Sequence, residues 1–120
     1  MPLLRNVISL TLPSAFTACL LVAQAMDMRS LIDRTQNDLR QAEDFERHHG
    51  KEVTRYQNAQ RHLSEFDKDL TKGHFDKGKL DTAITDVKNV VENNTLNPEG
   101  RDALGNDLRD LRVARAEHDR

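Results

Sequence analysis

From Asn6 to Met26 the chain runs without a charged residue, and from there to its end hydrophobic residues recur every three or four positions among charged ones. The first pattern predicts an export segment and the second a set of amphipathic helices. No stretch beyond Met26 alternates hydrophobic and polar residues over the length of a strand, and β-branched residues are scattered apart from Val90-Val91. The expected fold class is therefore all-α: a three to four helix bundle, or an array of helical hairpins, following an N-terminal signal peptide.

Four helical stripes can be traced. Met28, Ile32, Leu39 and Ala42 form the first, with Leu31 and Phe45 on its flank. Val53, Tyr56, Leu63 and Leu70 form the second, flanked by Ala59 and Phe66. The register runs on through Glu46 and His49 into Val53, so a single rod from about Asp27 to Lys72 would satisfy the spacing. Gly50 is the one interruption. A glycine inside a helix costs about 1 kcal/mol relative to alanine, and a hairpin or kink is expected there.

The next boundary has clearer chemistry. Gly73 can close a helix with φ > 0, and Asp76 can cap the following one, with Phe75 and Leu80 as a hydrophobic staple. Leu80, Ala83, Ile84, Val87, Val90 and Val91 make the third stripe, which is expected to stop at Asn93-Asn94 in a left-handed cap. Asn97-Pro98-Glu99 supplies an N-cap, a first-turn proline and an acid at the positive end of the helix dipole. The fourth stripe is Leu104, Leu108 and Leu111, supported by Ala103 and Ala114.

Composition divides the chain into three parts. Of the first 25 residues 16 are hydrophobic and only Arg5 is charged, and the segment ends in Ala23-Gln24-Ala25, small at both positions a signal peptidase reads. Residues 1–25 are thus expected to be a signal peptide cleaved before Met26, giving a periplasmic or secreted protein with no membrane span after cleavage. An uncleaved signal anchor is the alternative, as is lipid attachment at Cys19, since Phe16-Thr17-Ala18-Cys19 resembles a bacterial lipobox. Leu, Ile, Val and Phe make up only 19 of the remaining 95 residues, so the core must be small. Residues 26–50 are expected to be a first mature helix, exposed or continuous with the next, and residues 51–120 a helical core domain packed from Glu52 to Ala114.

Charge and chemistry exclude more than they assign. The net charge is −2 for the chain, and −3 without Arg5, so no bulk basic footprint for nucleic acid exists. Arg101, Arg109, Arg112, Arg115 and Arg120 are interleaved with acids, which describes a salt-laced helix face. Cleavage would remove the one cysteine and with it disulfides and thiolate chemistry. Glu43, Glu46 and His49 are spaced three apart beside His48, half of a Glu-x-x-His di-metal pattern whose second half is missing. Asp67, Asp69, Gly73, Asp76, Gly78 and Asp81 cluster as in a calcium loop, but an EF-hand starting at Asp67 would have Lys72 and Gly78, and one starting at Asp69 His74 and Leu80, where it needs glycine and a carboxylate. No nucleophile elbow, phosphate loop or HExxH helix occurs, so neither a catalytic residue nor a cofactor is assigned.

Gly73-His74-Phe75-Asp76-Lys77-Gly78-Lys79-Leu80-Asp81-Thr82-Ala83-Ile84 resembles the turn and second-helix opening of a tetratricopeptide repeat, present as one copy where that architecture stacks about three or more. With its export segment and charged helices, most of the chain also resembles small exported bacterial helical proteins. That resemblance implies location and helicity and assigns no activity. The expectation is a non-enzymatic module that binds a protein partner or itself, in coiled-coil fashion, through the stripe before Gly50. The alternative is a metal-responsive envelope protein using His48, His49 and the carboxylates of Glu43 and Glu46.

Overall fold

The structure is a computed structural model that describes residues 28–50 and 52–120. The expected signal peptide, Cys19 included, lies outside the described residues. Four helices follow one another: α1 (residues 28–49), α2 (Thr54–Thr71), α3 (Lys77–Asn93) and α4 (Pro98–His118). Among the described residues there is no strand, and no helix is long and apolar enough to cross a membrane. The chain divides into two compact units, Met1–Ser30 and Leu31–Arg120. The second is a helical bundle.

The boundaries follow from local chemistry. Gly50 is a turn residue, so the possible rod ends there, and its N–H still donates to the Glu46 carbonyl at 2.7 Å. Gly73 adopts φ 82°. The Gly73 and His74 amides turn back onto the Leu70 and Asp69 carbonyls at 3.0 and 2.9 Å, the double closure of a Schellman motif. Asp76 then accepts from the Lys79 N–H at 3.0 Å and opens α3. Phe75 fills the corner between these helices. Its ring meets Phe66 edge-on at 5.1 Å and stacks on His118 at 3.8 Å, which ties the α2–α3 turn to the end of α4. Asn97 caps α4 by accepting from the Gly100 N–H at 2.8 Å, with Pro98 in the first turn.

Cross-helix hydrogen bonds fix the arrangement as antiparallel. Gln36 of α1 donates to the Gln60 carbonyl of α2 at 3.0 Å, and Gln60 donates to Glu43 at 2.9 Å. Lys79 of α3 pairs with Asp69 of α2 at 2.6 Å, and Asp86 pairs with His62. Arg115 of α4 pairs with Asp81 of α3 at 2.9 Å. Arg34 of α1 reaches Asp107 and Asp110 of α4 at 2.7 and 2.6 Å. Each helix therefore touches two others, α1 meeting both α2 and α4.

Burial follows the expected stripes with instructive shifts. Tyr56, Ala59, Leu63 and Phe66 are buried on α2, whereas Val53 and Leu70 at its ends are half-covered. Leu80, Ala83, Val87 and Val90 are buried on α3, and Leu104, Leu108 and Leu111 on α4. Two expectations need correction. The stripe of α1 is no spare surface, since Leu31, Ile32, Leu39 and Ala42 are all buried. Thr35 and Gln36 go in with them, made tolerable by bonds from Thr35 to the Leu31 carbonyl at 2.8 Å and from Gln36 to α2. Nor does α3 end in a left-handed cap. Asn94 is extended, with φ −100° and ψ 158°, because its side chain is drawn inward.

Candidate functional site

Besides Thr35 and Gln36, buried polar side chains among the described residues fall in two places. The first lies where the C-terminus of α1 meets the start of α2 and the α3–α4 loop. Glu46 is 1% exposed there. Its Oε1 accepts from the Asn94 amide at 2.8 Å and from the Thr95 N–H at 3.2 Å. Asn94 donates a second time, to the Glu52 carbonyl at 2.7 Å. One amide thus joins three segments. The other carboxylate oxygen of Glu46 lies against the α-carbon of Gly50, where a Cβ would overlap Oε2 and stand 2.6 Å from Cδ. Gly50 is required here for close approach and not for a positive φ. Tyr56 lies buried in the same region with its hydroxyl unpartnered. Burial, with the charges of Glu46 and Glu43 behind it, pushes the phenol up to about 12.

The second group forms the seam between α1 and α4. Asp107 is 1% exposed, in line with Leu104 and Leu111 on the inner face of α4. Arg34 Nε donates to Asp107 Oδ1, and the other arm of the guanidinium reaches Asp110. Asp107 Oδ2 is buried and meets no N–H or O–H donor. The Asp38 carboxyl, on α1, lines the same groove as Asp107. Burial pushes Asp107 up to about 7, Asp38 adds to the rise and Arg34 opposes it. An open groove lined by Arg34, Asp38, Asn106 and Arg109 runs over this pair.

The four candidate metal ligands do not converge. Glu46 is inside, held by Asn94 and Thr95. Glu43 is shared between Arg47, at 2.7 Å, and Gln60. The Nδ1 atoms of His48 and His49 lie 2.8 Å from the carbonyls of Asp44 and Phe45, and the His49 ring stacks on Phe45 at 4.0 Å. Among the described residues no group of three or more His, Cys, Asp or Glu side chains is placed to hold a metal ion. The acids around the α2–α3 loop are engaged in other ways: Asp69 with Lys79, Asp76 as a cap, Asp81 with Arg115. Lys79 holds the Asp69 carboxyl below the usual carboxylate range, as Arg115 does for Asp119. Comparisons with protein families, with curated proteins and with solved structures found no match to the chain.

Sequence reasoning missed Asn94, Asp107 and the pairing of Gly50 with Glu46. For Asp107 and Glu46 a signal was there to be read. Asp107 lies three residues after Leu104 and four before Leu111, and Glu46 lies four after Ala42, so helical spacing puts each carboxylate on an apolar stripe. Asn94 gave none, because a residue outside a helix has no period.

Proposed function

We propose that the chain is an exported helical protein that acts without catalysis, as a protein-interaction or structural module formed by its four-helix bundle. One observation carries the export reading. The second compact unit begins at Leu31, shortly after Ala23-Gln24-Ala25, so cleavage before Met26 would leave every residue of that bundle in the mature protein. The surface supports the interaction reading and alters its kind. With the α1 stripe buried, Val113, 49% exposed, is the large hydrophobic residue left at the described surface, amid interleaved Lys, Arg, Asp and Glu. A surface of that composition recognises a protein partner, or a second copy, by charge complementarity and so with marked salt dependence.

Expression in a bacterium followed by intact-mass analysis tests the first part. A mature chain beginning at Met26 outside the cytoplasm is the expected result. A lipid on Cys19 would make the protein membrane-anchored, and an intact Met1 retained in the cytoplasm would overturn the export reading. Light scattering of the mature chain at low and high salt then tests association. Self-association that salt dissolves supports recognition through charge between copies, and association that salt strengthens contradicts it.

A further inference from the structure

We propose that Asp38 and Asp107 hold a single proton between them, and that this proton latches α1 onto α4 so that the seam tightens in mild acid and loosens above neutrality. The geometry favours a proton. Oδ1 of Asp107 takes the Arg34 bond, Oδ2 is buried with no donor among the described residues, and a second carboxyl, Asp38, lines the same groove. Two ionised carboxylates can only accept hydrogen bonds, so they repel across the seam. With one proton added, one becomes a donor and the contact turns into a short, charge-assisted hydrogen bond.

Among the described residues the charges that line this groove are few. Arg34 and Asp38 come from α1, and Asp110 and Arg109 from α4; the groove lining draws on these two helices alone. Arg34 divides its guanidinium between Asp107 and Asp110. Arg109 is directed to Asp110, at 3.7 Å. The single guanidinium that reaches Asp107 therefore serves a neighbouring carboxylate as well, and the fully ionised seam holds three acids around it.

The direction of the pH effect follows from linkage. A carboxyl raised to about 7 in the fold binds its proton more tightly there than in the unfolded chain, where aspartate titrates near 4. Its contribution to stability is complete below about pH 4 and is lost as pH rises through about 7. Other groups contribute to stability across the same pH interval, so a variant is needed to isolate the pair.

Asp107→Asn is that variant. The amide keeps an acceptor for Arg34 and offers Asp38 a permanent donor, imitating the protonated state at every pH while leaving every other titratable group in place. Melting of the mature chain should show a midpoint that falls by several degrees between about pH 5.5 and pH 8 in the natural protein and much less in Asp107→Asn, with the variant the more stable of the two at pH 8. Asp38→Asn should flatten the profile in the same way. Equal pH slopes in the natural protein and both variants would overturn the proposal. If either variant fails to fold, carbon-detected NMR titration of the natural protein decides: one aspartate carboxyl titrating near neutrality is expected, and every aspartate titrating in the ordinary range would refute the latch.

Discussion

Val87→Asp should unfold the bundle at neutral pH, seen as collapse of the helical circular dichroism signal. Val87 is fully buried at the middle of the α3 stripe, and α3 packs against both α2 and α4. Among the described residues no cationic side chain is buried with it. A carboxylate there would be desolvated without a partner, which costs several kcal/mol against a total stability of about 5 to 15 kcal/mol for a domain of this kind. Val87→Ala removes methyl groups without adding charge, and should melt cooperatively with a loss of about 2 kcal/mol. If both variants melted alike, burial of Val87 would not be what holds α3 in place.

Gly50→Ala has the second largest expected effect, and its sign distinguishes this glycine from an ordinary loop glycine. Gly50 is not in the positive-φ region, and alanine at such a position usually stabilises by about 0.4–1 kcal/mol through the unfolded chain. Here the new Cβ would occupy the space of Glu46 Oε2. The carboxylate would have to swing away, abandoning Asn94 and Thr95, which leaves a buried charge and a buried amide short of partners. We expect a loss of about 3 kcal/mol. A double-mutant cycle checks the cause: in a Glu46→Ala background the clash is gone, and Gly50→Ala should then cost almost nothing. An equal penalty in both backgrounds would place the strain in the backbone.

The helices were legible because their signals are local. Asp76 and Asn97 precede their helices at capping positions, Gly73 provides the one positive φ among the described glycines, and Leu80 to Val90 keep a helical period that needs no knowledge of the partner helix. What was not legible is how the helices meet. The expected outlying position of α1 came from counting large apolar residues, and that count misjudges a helix held by polar bonds. Gln36, Arg34 and Glu46 dilute the α1 stripe in sequence, yet in the fold each has a partner on another helix or in the α3–α4 loop. Partners 73 residues apart, such as Arg34 and Asp107, leave no mark in a single sequence. The dispersal of the metal candidates has a related reason. Glu43, Glu46 and His49 share a helical spacing, but the bundle turns Glu46 inward and leaves His48 and His49 at the surface.

Polar contacts at Asn94 and along the Arg34–Asp107 seam should make α1 part of the same cooperative unit as α2, α3 and α4. Native-state hydrogen exchange on the mature chain in mild acid, where the seam should be closed, tests it most directly. Amides of α1 between Leu31 and Arg47 should reach the protection of the α3 core and be released only by global unfolding. Exchange of α1 through a separate, low-energy opening while α3 stays protected would contradict the account, and would return the α1 stripe to the role of a surface awaiting a partner.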